Sequence, residues 1–148
     1  NELDAGFNYW NYSAYLEAAG YKKLISLKQI LPVIGIIGEL PLIGYVFRES
    51  YEEKNKNTVS SFIKASEEAR EILKESNEEW IRIAHLTNAH DTKILEKIRD
   101  NFRDGIPSKN NKAMLKNINH AYIILKNIGG QKLVGRSNGL SPGTFWNN

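Results

Sequence analysis

The spacing of apolar residues changes near residue 48. Before it, short apolar and aromatic stretches are separated by Gly and Pro; after it, apolar residues recur every three or four positions within long polar stretches. Short apolar runs bounded by turn residues are typical of buried strands, whereas the three-to-four spacing predicts amphipathic helices. We therefore expect a few short strands followed by a helix-rich part.

The first part predicts three strands, at residues 3–10, 22–27 and 40–47. Pro41 is tolerated only near the start of its strand or on an edge strand. A brief helix, residues 11–19, separates the first two strands, and Gly20 follows it where a left-handed backbone costs glycine little. Because three short strands do not easily make an independent sheet, we expect further strands upstream.

The second part predicts four helices. Asn57 is the expected N-cap of the first, and Ser76 and Glu79 have the spacing of a capping box at the start of the second. The third runs from Asp91 to Gly105, and the fourth covers residues 110–128, where two glycines stop it. The aromatic pair at residues 145–146 predicts that the tail docks on the body of the protein.

Composition excludes several classes of function. The 148 residues carry 20 Lys and Arg against 17 Asp and Glu, and a net charge of +3 without a dense basic cluster does not indicate nucleic-acid binding. The absence of Cys excludes disulfides, thiolate metal sites and cysteine nucleophiles. No cofactor is indicated.

Catalytic and metal-binding patterns are weak. His85, His90 and His120 are the only histidines, and their spacing matches no metal-binding motif. The carboxylate pairs at residues 67–68 and 78–79 are interpreted as solvated helix faces that form i, i+3 ion pairs with Arg70 and Arg82. The sequence therefore predicts neither a catalytic residue nor a metal ligand.

The stretch Tyr9-Trp10-Asn11-Tyr12 is the strongest candidate for a binding site. It lies where a predicted strand meets a predicted helix, and ligands of α/β folds sit beyond the carboxyl ends of strands. Aromatic faces beside an amide suit a small polar ligand with an apolar body. The alternative is that Tyr9 and Trp10 belong to the core and Asn11 is an ordinary N-cap.

Several stretches, taken in order, resemble one family of binding proteins. They are the opening Leu-Asp-Ala-Gly-Phe-Asn-Tyr-Trp-Asn-Tyr, the later Leu-Pro-Leu-Ile-Gly-Tyr-Val-Phe, the long helical segment 57–76, and the closing Leu-Ser-Pro-Gly-Thr-Phe-Trp. They resemble the nitrate, sulfonate and taurine type of solute-binding proteins of ABC importers, a group that includes the thiamine-precursor binders. The resemblance covers nearly all of the chain, and its motifs are diffuse.

The resemblance implies an α/β fold of the type II periplasmic-binding kind, of which this chain is the C-terminal part. Residues 1–47 would be the end of the second lobe and the returning hinge strand, and residues 48–148 the helix-rich end of the first lobe. The matching positions imply Tyr9, Trp10, Asn11, Tyr12 and Glu39 as residues of the ligand cleft.

The implied function is capture of a small molecule, anionic or sulfonate-like in some members, by closure of the hinge. The implied partners are the ligand, a membrane permease and an N-terminal half of the same protein. The implied location is periplasmic or extracytoplasmic. Three alternatives remain: an enzyme similar to the thiamine-pyrimidine synthases, a regulator that shares the fold, and a helical protein-interaction module. The synthases carry a cysteine-rich motif that is absent here, and the interaction module requires a contiguous exposed apolar patch.

Overall fold

A computed structural model describes residues 3–107 and 112–146. Within these ranges the protein consists of helices and irregular segments and contains no strand. The prediction of an α/β, type II periplasmic-binding fold is therefore wrong. None of the helices in these ranges has both the length and the apolar character needed to cross a membrane.

The predicted strands failed because their apolar residues find no partner strand. Residues 40–46 donate and accept no hydrogen bond from backbone to backbone within the described ranges, and Ile43 and Val46 are 84% and 96% exposed. A strand gains its stability from the cross-strand ladder and from burial of one face. Apolar composition predicted the strand at this segment, but neither source of stability is present.

The chain divides into two compact units, each built from two separate stretches. The first unit comprises Asn1–Leu24 and Tyr45–Ile106; the second comprises Ile25–Gly44 and Pro107–Asn148. The expected lobe segments, 1–47 and 48–148, refer to a larger two-lobed protein and stay a prediction.

Five helices form the described part of the first unit, together with a 3₁₀ turn at Ala84–Leu86. They are α1 (Trp10–Ala18), α3 (Glu49–Lys54), α4 (Lys56–Glu75), α5 (Asn77–Arg82) and α6 (Thr92–Asp104), numbered with α2 (Leu27–Ile30) and α7 (Lys112–Val134) of the second unit. The helix predicted at 11–19 is thus present one residue early, and Gly20 after it has φ 93°, as predicted.

The core of the first unit lies between α1, α5 and α6. Ala14, Trp80 and Ile98 are buried there. The small side chain of Ala14 has no exposed surface, which lets the backbone of α1 approach α6 closely. Half-buried apolar residues complete this core: Tyr15, Leu73, Ile83, Ala89, Ile94, Leu95 and Phe102.

Side-chain caps mark the starts of α5 and α6. The Ser76 hydroxyl accepts the backbone N–H of Glu79 at 3.2 Å, and the Asp91 carboxylate accepts that of Ile94 at 2.8 Å, so both predicted helix starts are confirmed. The capping box at Ser76 is only half formed, because the Glu79 carboxylate pairs with Arg82 at 2.7 Å. The start of α4 was predicted two residues late, since its N-cap is Asn55.

The carbonyl of Leu73, near the end of α4, ties three helices together. A carbonyl in the last turn of a helix has no partner within the helix. This one accepts the indole N–H of Trp80 from α5 at 2.7 Å and the Nε–H of Arg103 from α6 at 3.1 Å. The packing of α5 and α6 against the end of α4 is therefore stabilised by two hydrogen bonds as well as by apolar contacts.

The second unit is built on α7. Met114 of this helix is buried, as are Leu31 and Ile36 of the shorter stretch. The Asn117 amide donates to the carbonyls of Ile37 and Glu39, at 2.9 and 3.0 Å, and so holds the irregular segment after α2.

The glycine pair in α7 breaks the helix without ending the helical segment. Gly130 has φ 60° and ψ −158°, a conformation open to glycine, and helical hydrogen bonding continues to Val134. The helix end predicted at 129–130 is therefore a local interruption, after which the helical segment continues. The tail is held on α7 by the Tyr122 hydroxyl, which lies 3.1 Å from the Val134 carbonyl and 3.2 Å from that of Ser137.

Candidate functional site

An open groove of about 680 Å³ lies in the first unit, between α1, the end of α5 and α6. We call it the aromatic groove and define it by the residues that line it: Trp10, Asn11, Tyr12, Tyr15, Leu73, Trp80, Ile83, Leu86, Thr87, Asn88, His90, Ile98 and Phe102. Its volume falls within the range of small-molecule sites, about 300–1,000 Å³.

Three of the five predicted cleft residues line the groove. Trp10, Asn11 and Tyr12 occupy the first turn of α1, where the helix leaves the extended Tyr9. Asn11 is the second residue of the helix and not its N-cap, so its amide is not used for capping. Tyr9 and Trp10 are 75% and 45% exposed, which contradicts the alternative that both are core residues.

The other two predicted residues do not line the groove. Tyr9 precedes α1 as its N-cap and turns outward. Glu39 belongs to the second unit, where its backbone carbonyl accepts a hydrogen bond from Asn117. Neither position is among the residues that line the groove.

Aromatic rings form the floor and one rim of the groove. Phe102 packs between the two tryptophans, with its ring centroid 5.3 Å from that of Trp80 in an edge-to-face arrangement and 6.3 Å from that of Trp10. Trp80 is 3% exposed and its indole N–H is bonded, so it serves as the floor. Trp10 keeps nearly half of its surface open to solvent and serves as the rim.

The opposite rim is the turn between α5 and α6. The Tyr15 hydroxyl of α1 donates to the Thr87 carbonyl at 2.7 Å, and the Thr87 hydroxyl donates to the Ala84 carbonyl at 2.8 Å. Asn88 follows with φ 57°, a left-handed conformation that Asn adopts more readily than most residues. These contacts hold in place the backbone segment on which Asn88 and His90 line the groove.

Polar groups of the lining differ in whether they are already bonded. Tyr15, Thr87 and Trp80 each make the hydrogen bond described above. The side chains of Asn11, Asn88 and His90 make no hydrogen bond within the described ranges. The groove therefore offers two amides and one imidazole to a ligand.

The charged contacts of α1 are made by Glu17, which does not line the groove. Glu17 accepts hydrogen bonds from Lys23 at 3.0 Å and from Asn101 of α6 at 3.3 Å. Partial burial raises the pKa of the Glu17 carboxyl, but the hydrogen bonds from Lys23 and Asn101 and the charges of Lys23 and Lys97 outweigh it, so the pKa is lowered from 4.5. This network fixes α1 on α6 and does not line the groove.

The remaining sequence interpretations concern metals and surface charges. The described residues hold no group of three or more His, Asp or Glu side chains that could bind a metal ion. The ion pair expected between Glu79 and Arg82 is present, whereas the Nε–H of Arg70 donates to the Ser66 carbonyl.

No protein-family model matches this chain, and a comparison with curated proteins found no match.

Proposed function

We propose that this protein binds a small molecule in the aromatic groove and does not transform it. The observation that carries the proposal is the combination of an open, ring-lined groove of about 680 Å³ with three polar side chains that have no partner within the described ranges. Small-molecule sites combine a mainly apolar wall with a few polar groups that set orientation.

Binding without chemistry fits the lining. The Thr87 hydroxyl donates to a backbone carbonyl, so its proton is engaged. Among the described residues, His90 is the one imidazole of the lining, and no carboxylate or lysine accompanies it there. A general base needs a nucleophile or a substrate proton within hydrogen-bond reach and a second group to orient it.

The importer role implied by the sequence resemblance, with its permease and its extracytoplasmic location, stays a prediction. Hinge closure between two α/β lobes is not part of the proposal, because the described residues contain no strand. What the proposal keeps is capture of a small molecule by the residues at the start of α1.

The test is a two-dimensional ¹H–¹⁵N NMR screen of the whole chain against a collection of neutral, acidic and basic fragments. Hits should perturb the amides of residues 10–15, 83–90 and 98–102 together. Trp10→Ala should remove these perturbations. Tyr21→Ala is the matched control, because Tyr21 is an exposed aromatic residue of the same unit outside the groove.

A weak but measurable affinity is expected for fragments. At roughly 0.3–0.4 kcal/mol per non-hydrogen atom, a fragment of about 13 such atoms gains about 4–5 kcal/mol, which corresponds to a Kd of about 0.2–1 mM. Hits that map consistently to another surface, or the absence of any hit on the groove, would refute the proposal.

A second candidate function, protein interaction, is favoured by one observation on α4. Phe62, Ala65, Ala69 and Ile72 form an exposed apolar stripe with alternating three- and four-residue spacing, and Phe62 and Ile72 are about half exposed. This spacing is that of a helix seam that packs on another helix. Such an exposed stripe is what the interaction-module alternative requires.

The distribution of charge along α4 favours a second copy of this chain as the partner. The first half of the helix carries Lys56 and Lys64 and no acidic residue, whereas the second half carries Glu67, Glu68, Glu71 and Glu75 against Arg70 and Lys74. Two α4 helices in antiparallel contact would place each basic half beside an acidic half.

Sedimentation equilibrium over a wide concentration range tests this second candidate. The protein should dimerise, and Ile72→Glu should prevent dimerisation. Ile81→Glu should not, because Ile81 is an equally apolar, 70% exposed residue on α5. A chain that stays monomeric at every concentration would exclude self-association through α4.

A further inference from the structure

We infer that the ligand of the aromatic groove is an uncharged, planar aromatic molecule with hydrogen-bonding groups on its edge. The inference rests on the proposed function, because it names the chemical class that the groove selects. Three features of the lining carry it: the free ring surface, the absence of formal charge, and the unbonded amides.

The free ring surface is that of Trp10. Phe102 packs on both Trp80 and Trp10, and Trp80 is 3% exposed, so the rings of Phe102 and Trp80 offer less free surface than that of Trp10. Trp10 is 45% exposed and Tyr12 is 58% exposed on the same helical turn. Aromatic surfaces bind other aromatic rings by offset stacking or by edge-to-face contact, so a flat ring is the complementary shape.

The charge of the lining disfavours an ionic ligand. No Asp, Glu, Lys or Arg occurs among the lining residues in the described ranges. A charged group that leaves water for a site without a counter-ion loses its hydration and gains no ion pair in return. A neutral ligand avoids this loss, and the same groove therefore discriminates against its ionised relatives.

The amides supply recognition of the ligand edge. Each of Asn11 and Asn88 offers an N–H₂ donor and a carbonyl acceptor, and neither side chain is bonded within the described ranges. They lie on opposite rims, one on α1 and one in the turn before α6. A carboxamide or a ring nitrogen on the ligand can satisfy them, whereas a pure hydrocarbon would leave them unpaired in a drier site.

One cation lies near the groove without lining it. Arg103 donates from Nε to the Leu73 carbonyl, and its Nη2 is buried without a hydrogen-bond partner among the residues that the structure describes. Leu73 lines the groove and Arg103 does not. Preference for an anionic ligand would therefore point to Arg103 as its counter-ion and would overturn the inference.

The experiment compares compounds that share one ring system and differ in charge. Indole-3-acetamide is neutral, indole-3-acetate is an anion and tryptamine is a cation at pH 7. Cyclohexylacetamide is the neutral, non-aromatic control. We expect NMR titration of the whole chain to give indole-3-acetamide the lowest Kd, with each of the other three at least fivefold weaker.

Two variants test the residues named. Trp10→Ala should weaken indole-3-acetamide at least fivefold and should reduce its advantage over cyclohexylacetamide. Asn11→Asp places a carboxylate on the rim and should reverse the order of indole-3-acetamide and tryptamine. An unchanged order in Asn11→Asp would show that this position does not face the ligand and would contradict the inference.

The outcomes separate the inference from the proposed function. If the fragment screen finds ligands for the groove but indole-3-acetate, tryptamine or cyclohexylacetamide binds as well as indole-3-acetamide, the ligand class is wrong and the binding function stands. If neither the screen nor the four compounds perturb the groove, the binding function itself fails.

Discussion

At the scale of single residues, Trp80 contributes most to the first unit. It is 3% exposed, its ring packs on Phe102 at 5.3 Å, and its indole N–H satisfies the Leu73 carbonyl. The Trp80 side chain therefore stabilises the unit in three ways: by its burial, by its ring contact and by its hydrogen bond to the end of α4. Trp10, by contrast, lies farther from Phe102, with a centroid distance of 6.3 Å, and keeps 45% of its surface exposed.

Replacement of these two tryptophans should separate stability from binding. Trp80→Ala should lower the free energy of unfolding by about 3–5 kcal/mol, the usual cost for a buried aromatic residue. Trp10→Ala should cost less than half as much, since it removes less buried surface. Urea unfolding followed by circular dichroism measures both values.

The control for that comparison is Ile81→Ala, because Ile81 lies beside Trp80 on α5 and is 70% exposed. It should change the free energy of unfolding by no more than about 0.5 kcal/mol. Equal losses for Trp80→Ala and Trp10→Ala would mean that Trp10 is a core residue and not a rim.

Sequence could not distinguish these two residues. Trp10 and Trp80 each begin or follow a short apolar stretch, and their types are identical. Their environments differ because α5 turns back on α4 through the Leu73 carbonyl, a contact that depends on tertiary packing. The sequence nevertheless singled out Trp10, Asn11 and Tyr12, because their aromatic and amide chemistry is concentrated in one short stretch, and all three line the groove.

At the scale of elements, the helix starts at Ser76 and Asp91 were predictable because caps are local. The side chain and the amide that it caps are three residues apart in both cases. Strands are different, because a strand requires a partner that the local pattern does not contain. This is why the apolar segment at residues 40–47 was assigned wrongly while the amphipathic segments from 57 onward were assigned correctly.

The cap of α6 gives a direct test at this scale. Asp91→Ala should lower the free energy of unfolding by about 1 kcal/mol, because the backbone N–H of Ile94 loses its acceptor. Asp91→Asn should retain most of the stability, since asparagine is also a good N-cap. Denaturant titration distinguishes the two, and equal behaviour of both variants would show that the cap does not contribute.

The contact of α1 with α6 should depend on pH through Glu17. Its pKa in the folded protein lies below 4.5, so the ionised form is favoured by folding and its contribution is present above that pH. The contribution is lost as pH falls through the lowered pKa. Glu17→Gln should cost about 0.5 kcal/mol at neutral pH, as expected for an ion pair whose lysine is still open to solvent.

Thermal melts between pH 3 and pH 6 measure this effect. The wild-type protein should lose more stability over that interval than Glu17→Gln does. Parallel pH profiles for the two proteins would show that Glu17 makes no net contribution to the contact of α1 with α6.

At the scale of the whole molecule, the groove unites segments that are distant in sequence. Tyr15 and Thr87, which connect its two rims, are 72 residues apart. The sequence pattern identified the residues of one rim, at the start of α1. No local pattern indicated that Asn88 and His90 would form the opposite rim. The polar residues Thr87, Asn88 and His90 between two helices became informative only once the contact of α1 with α6 was known.

The central claim is that Trp10 forms the rim of a ligand site. The three tryptophans give three indole N–H signals in a ¹H–¹⁵N spectrum, and Trp10→Phe assigns one of them. Addition of indole-3-acetamide should move the Trp10 signal most, the Trp80 signal less, and leave that of Trp146, which does not line the groove, unchanged. An unmoved Trp10 signal, or an equal shift of all three, would contradict the account.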